Sequence, residues 1–323
     1  KRTAMKVDYW GLALLAVGIG GLQMVLDRGQ QNDWFSSSRI VWMTLVSATA
    51  LLVFIVVEWQ AEHPIVNLRA FRNHTFSLGN AVIFLVVANL FGSIVLLPIY
   101  LQTLMGYTAT LAGIVLGPGG VANLVTMPIV GRLVNRVNPK ILIAVGIILT
   151  AVSTLAMSQF NLFADFVTVL WPRIIMGIGL AFVFIPLTTL TLSAIRKEEM
   201  GNATSIFNLM RNLGGSVGIA VSATLLSRRT QFHQSRLVDH LTPFDTAYRE
   251  GTGLASQALQ YRGMDGGSAA QGGLGVLYEK MIREAAMLSF NDVFYLLTVA
   301  IVLTLPLVSF MKRVRHSASD PHH

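Results

Sequence analysis

The residues of this chain that could do chemistry are set into apolar surroundings. Arg211 lies about nine residues into an apolar stretch, roughly 13 Å along a helix at 1.5 Å per residue. Asn208, Arg211 and Asn212 follow the i, i+3, i+4 spacing that places side chains on one helical face. Arg173 follows Trp171 and Pro172 at the end of another apolar stretch, and Asn80, Asn89 and Asn123 stand within others. Charged and amide groups in hydrocarbon are costly, so they mark a polar cavity or hydrogen bonds between helices. For Arg211 a structural role, by pairing or carbonyl capping, stands level with a cavity role. Arg173 reads first as snorkelling to the headgroups. A single Asn is more often structural.

Other chemistry is excluded. There is no cysteine, hence no disulfide, thiolate metal site or thiol nucleophile. The seven histidines, His63, His74, His233, His240, His316, His322 and His323, fall in loops or tails. None stands near a Ser or an acid at catalytic spacing inside an apolar stretch, and His233 and His240 read as a solvated face. No catalytic residue, metal set or phosphate loop is present, so neither an enzyme nor a cofactor is expected. Asp8, Asp27, Glu58, Asp165, Glu198 and Asp292 all lie at edges or in loops. Proton coupling normally needs an intramembrane carboxylate or His, and none is visible.

The elements that must position these residues follow from composition. Of 323 residues, 53% are hydrophobic and only 12% charged, against about 25% charged in a soluble domain. Spanning hydrocarbon takes about 20 apolar residues in a helix. Eight stretches qualify: 9–26, 40–59, 78–102, 108–130, 141–159, 166–194, 202–227 and 293–311. The fold class is therefore an all-α integral membrane protein.

The net charge of +8 reads as cytoplasmic loop bias, not as a nucleic-acid surface. Lys1, Arg2, Lys6, Arg69, Arg72, Arg132, Arg136, Lys140, Arg196, Lys197, Lys312, Arg313 and Arg315 fall on one side, and the opposite short loops hold only Arg28 and Arg39. Both ends are expected in the cytoplasm. The chain opens at Lys1 with no initiator Met and reads as beginning inside a longer polypeptide.

Two stretches break the pattern. One is a polar link over 61–77. The other is a long non-cytoplasmic loop over 228–291, with amphipathic helical pieces at 228–241 and 274–290 and a mobile Gly-rich part at 263–275. A docking surface for a partner is preferred there over a disordered connector. Gly117, Pro118, Gly119 and Gly120 are expected to interrupt the fourth span, and Pro98, Pro128, Pro186 and Pro306 others. Gly214, Gly215 and Gly218 form a small face that another helix can approach closely.

Several blocks resemble one family. Lys6 to Leu12, Leu26-Asp27-Arg28-Gly29 and Asp33 to Ser37 resemble a seventh span and the loop after it. Pro64-Ile65-Val66 with Leu68 and Phe71, Leu96-Leu97-Pro98, Gly106 to Thr110, Pro186 to Thr189 and His233 to Phe244 continue the match. The family is the EmrB type of fourteen-spanning drug–proton antiporter in the major facilitator superfamily. Gly131-Arg132-Leu133-Val134-Asn135-Arg136 is similar to the basic loop of each facilitator half, with an amide at Asn135 where an Asp is usual.

The resemblance implies two inserted linker spans over 1–60, the cytoplasmic link 61–77, and a C-terminal six-helix bundle over 78–323 that includes loop 228–291. An N-terminal six-span half, carrying the acidic residues of proton coupling, would lie outside this chain. The implied function is export of lipophilic compounds across a bacterial inner membrane, driven by proton entry. Implied partners are a periplasmic adaptor of the EmrA kind and an outer-membrane channel of the TolC kind, with loop 228–291 on the adaptor's side. Family fold rules make Asn80, Asn89, Phe91, Asn123, Phe182, Phe184, Asn208 and Arg211 candidate cavity residues. Gly117, Pro118, Gly120, Arg132, Arg136, Gly214 and Gly218 are candidates for gating or packing. A facilitator for one metabolite or siderophore, and a non-transporting scaffold, are the alternatives.

Overall fold

Apolar runs of membrane-spanning length, closed by polar caps, set the elements. A computed structural model describes residues 9–60, 67–239, 241–242 and 244–312. Lys1, Arg2, Lys6, Asp8, His63, Pro64, Ile65, Val66, His240, Arg313, Arg315, His316, His322 and His323 lie outside the described residues. The helices are α1 Tyr9–Gly29, α2 Ser38–Gln60, α3 His74–Ile99, α4 Ala109–Leu133, α5 Pro139–Met157, α6 Phe166–Leu192, α7 Met200–Asp239, α8 Thr246–Tyr261, α9 Gly266–Val302 and α10 Thr304–Phe310. Eight helical segments among the described residues are long and apolar enough to cross a membrane, at the expected places.

Side-chain caps fix several starts. Asn73, Thr108, Asn138, Asp165 and Asp265 accept the backbone N–H of Phe76, Leu111, Lys140, Thr168 and Ser268, satisfying donors that a helix N-terminus leaves free. Hydrogen bonds from Thr168 hold the Asp165 carboxyl below the usual carboxylate range, and bonds from Ser268 do the same for Asp265. A lowered folded pKa means that both caps are fully in place above the ordinary carboxylate pKa. They are lost as pH falls through the folded value.

Prolines disturb the helices less than expected. α4 runs through Pro118 and Pro128 without a break, and α6 through Pro172 and Pro186. Pro98 is followed by a π-helical turn, Tyr100–Leu104. The last span does break, at Leu303 between α9 and α10. Pro306 explains the position, because it has no N–H for the carbonyl four residues back and its ring crowds that carbonyl.

The stretch 228–291 is helical over most of its described residues, including the pieces expected at 228–241 and 274–290. α7 continues through it to Asp239, α8 follows, and α9 starts at Gly266 and runs on into the last span. At 1.5 Å per residue, α7 and α9 are each roughly 55–60 Å long, nearly twice the hydrocarbon thickness. The glycines expected to make 263–275 mobile instead let α8 lie on α9. A methyl group on Gly272 would sit 2.7 Å from Leu259 Cδ1, and one on Gly273 would run into the Ser256 hydroxyl.

α3, α5, α6, α7 and α9 surround the core, which has two layers along the bundle. One includes Val86, Ile147, Val183, Leu187 and Phe207. The other centres on Tyr100, whose ring stacks on Phe160 and meets Phe290 edge-on, and whose hydroxyl donates to the Asn161 carbonyl at 2.8 Å. Asn73 Nδ2 donates to Ala194 O, Lys140 Nζ to Ser309 O, and Lys312 N to Thr75 Oγ1. These three bonds gather the turns that carry Arg69, Arg72, Lys140, Arg196, Lys197 and Lys312 at one end of the bundle.

Helices meet at glycines. A methyl on Gly177 (α6) would run into the Gly119 carbonyl of α4, and one on Gly119 would lie 2.7 Å from the Arg173 carbonyl. Gly117 and Gly120 face open space. Gly177→Ala is therefore expected to lower stability by roughly 1–3 kcal/mol through overpacking, while Gly117→Ala leaves it unchanged or slightly raised. Thermal unfolding in detergent, followed by tryptophan fluorescence, checks the pair.

Candidate functional site

A cleft of about 450 Å³ opens between α1, α3, α6 and α7, within the usual range for small-molecule sites. α7 supplies one wall through Arg211, Asn212, Gly215, Ser216 and Ile219, two adjoining i, i+4 rows on one face. α3 supplies Val87 and Phe91, α6 supplies Phe184, and α1 supplies Gln23. Polar groups face aromatic and aliphatic ones across the space. Arg211 is the one charged residue among those lining it.

Two glycines set the geometry of the α7 wall. Methyl groups on Gly214 and Gly218 would run into the Phe84 and Ala88 carbonyl oxygens of α3. Their absence brings the two backbones into direct contact. Gly215, one residue round the helix, faces the Phe91 ring, whose Cδ2 would make an ordinary contact of 3.4 Å with a methyl there. One short run thus clamps α7 to α3 beside the cleft.

The structure brings Phe91, Phe184 and Arg211 together and leaves the other candidates elsewhere. Asn80 is buried and donates to Phe76 O of its own helix at 2.8 Å. Asn89 donates across to Leu297 O at 2.8 Å, and Asn123 to Gly177 O at 3.0 Å. Asn208 and Phe182 are half-buried and do not line the cleft. Pro118 lies within α4. Arg132 and Arg136 line a separate cleft of about 540 Å³ with Ile129, Leu133 and Asn135.

Two ionisable residues differ from the sequence expectation. Arg173 does not snorkel: it is only 7% exposed, with Nη1 3.2 Å from Met176 Sδ and Nε unpartnered. Ser93 of α3 donates to the same sulfur at 3.3 Å. The close Gly119–Gly177 contact draws α4 over this arginine and closes it in. His233 is not merely solvated, since its Nε2 lies 2.7 Å from Asp292 Oδ2, and Arg229 Nε lies 3.1 Å from the same oxygen. The pairing joins residues 59 apart in sequence, which helical spacing could not reveal. Gln23 was also missed, although a lone amide inside an apolar span was a signal of the same kind as Asn89.

Residues 9–219 match the family model described as Major Facilitator Superfamily. The chain belongs to the major facilitator superfamily. Among curated relatives of this superfamily member, the fatty acid resistance protein FarB of Neisseria gonorrhoeae is 33% identical over 315 residues, covering 98% of this chain and 61% of that protein. The multidrug export protein EmrB of Escherichia coli K12 is 35% identical over 309 residues, covering 95% and 59%. The chain therefore spans about three-fifths of the length of these relatives. The crystal structure of a bacterial homologue of the human lysosomal transporter Spinster, inward-facing and occupied, aligns over 92% of this chain and 66% of that one. Its TM-score is 0.52 at 15% identity, a likeness of fold.

The geometry separates amides that hold helices together from groups that line the cleft. Asn89→Leu and Asn123→Leu each remove an interhelical bond and are expected to cost about 1 kcal/mol. Arg211→Leu breaks no ion pair and leaves the unfolding midpoint unchanged. A thermal-shift series over the three variants tests the division.

Proposed function

We propose that this chain is the C-terminal portion of a proton-coupled exporter of lipophilic and amphiphilic compounds. Residues 1–60 form two linker spans, 61–77 a cytoplasmic link, and 78–323 the C-terminal six-helix half. The observation that carries the reading is the 450 Å³ cleft, with Phe91 and Phe184 opposite Arg211 and no carboxylate among its lining residues. Aromatic faces accept bulky apolar bodies with little discrimination, and a few polar groups orient them. Arg211 is exposed to the cleft, and its planar, weakly hydrated guanidinium is suited to an anionic head. The names of FarB and EmrB, relatives by sequence, support fatty acids and drugs as cargo classes. A site built for one small polar metabolite would carry more matched hydrogen-bond groups than this cleft does.

Proton-carrying groups belong, in this reading, to an N-terminal six-span half outside the chain. The basic end of the bundle faces the cytoplasm of a bacterial inner membrane, in keeping with the bias of Lys and Arg toward that side. The extensions of α7 and α9 with α8 between them then project into the periplasm. There they would meet an adaptor of the EmrA kind, which leads to an outer-membrane channel of the TolC kind.

The test uses the complete polypeptide that contains this chain, reconstituted in proteoliposomes. Arg211→Ala is expected to weaken binding of an anionic amphiphile such as dodecanoate ten- to a hundredfold, the loss of a charge-assisted bond of about 1.5–3 kcal/mol. Arg211→Lys should retain most of it, and an uncharged dye of similar size should be affected less than threefold. Equal effects on both ligands would contradict the proposed role of the charge. An imposed proton gradient should drive uptake into inside-out vesicles, and uptake that ignores the gradient would contradict proton coupling.

A further inference from the structure

The cleft has a wall that the six-helix arrangement does not supply. Gln23 belongs to α1, which family fold rules cast as a linker outside the substrate path, yet it lines the same space as Arg211 and Phe91. We infer that α1 is a working wall of the substrate cleft and that the Gln23 amide is a specificity-determining contact for the polar part of the ligand. The inference rests on the reading of this cleft as the substrate site.

Its support is the way α1 is held. Leu14 and Leu15 pack on a cluster formed by Phe54 of α2, Phe76 of α3, and Ala203 and Ile206 of α7. Eight residues on from Leu15, about 12 Å along the helix, Gln23 reaches the level of Arg211 to Ile219. The turn Gln30–Asn32 then touches α7 again. α1 therefore follows α7 in the same direction from below the cleft to above it, and Gln23 falls on the side that faces the cavity.

α2 braces α1 from behind. Ser47 Oγ donates to Gly18 O at 2.6 Å, and methyl groups on Gly18 and Gly21 would lie 2.7 Å from Leu51 Cδ2 and 3.0 Å from Ser47 Cβ. Side chains of α2 pack directly on the glycines of α1, so the position of Gln23 is set by packing and not by a flexible tether. Its neighbour Met24 points out of the bundle, 58% exposed. An amide offers both a donor and an acceptor. Beside Arg211 it can bind the second oxygen of a carboxylate head, or the hydroxyl of a neutral amphiphile that Arg211 alone serves poorly.

Cysteine accessibility tests this, because the chain has no native cysteine and any cysteine elsewhere in the complete polypeptide is first replaced by serine. Gln23→Cys, Ser216→Cys and Met24→Cys are introduced singly into the complete polypeptide and labelled with N-ethylmaleimide, with and without dodecanoate. The expected result is at least threefold slower labelling at both Gln23→Cys and Ser216→Cys, with Met24→Cys unchanged. Protection of Ser216→Cys without Gln23→Cys would overturn the role of α1 and leave the cleft reading standing. Protection at neither would overturn both. Equal protection at Met24→Cys would show an effect of lipid partitioning and also overturn the inference.

Discussion

Backbone-to-backbone contact at glycine is the constraint on which the rest of this bundle depends. Lipid offers no hydrophobic drive between helices, so association relies on close packing and on bonds that close approach permits. Gly214 and Gly218 seat α7 on carbonyls of α3, Gly119 and Gly177 join α4 to α6, and Gly146 and Gly179 do the same for α5 and α6. Two of these seams position chemistry nearby. The first leaves Gly215 and Arg211 at the cleft, the second encloses Arg173, and Asn123 bonds to Gly177 O along the second seam. A bundle held this way tolerates little at the seams but leaves the side chains between them free to face a cavity.

Much of the fold was legible because membrane spans announce themselves. Length and apolar composition fixed eight segments, whereas the caps at Asn73, Thr108, Asn138 and Asp165 came to light only in the structure. The helical pieces expected at 228–241 and 274–290 are present within α7 and α9, whereas the mobility expected of 263–275 was misjudged for a physical reason. Gly251, Gly253, Gly266, Gly267, Gly272 and Gly273 carry low helix propensity, whereas tertiary packing of α8 on α9 makes several of them assets. Propensity yields to packing where small residues allow two helices to touch.

The site was legible only in part. Spacing placed Asn208, Arg211 and Asn212 on one face, and the fold rules of the resembled family selected α3, α6 and α7 as sources of lining residues. Spacing cannot say which way a face points, so Asn80, Asn89 and Asn123 joined the cavity candidates although their amides bond carbonyls of their own or adjacent helices. Gln23 was passed over because the same rules assign α1 to a linker. The His233–Asp292–Arg229 cluster, bridging two long helices, lay beyond any local pattern.

The central claim is that compounds pass through the cleft between α1, α3, α6 and α7. Photoaffinity labelling of the complete polypeptide with a diazirine-bearing fatty acid, mapped by peptide mass spectrometry, tests it most directly. The account predicts adducts on the α3 segment around Phe91, on the α6 segment around Phe184 and on the α7 segment from Arg211 to Ile219, all suppressed by excess unlabelled dodecanoate. Adducts confined to the lipid-facing surfaces of α2 and α5, or to the cleft beside Arg132 and Arg136, would contradict it.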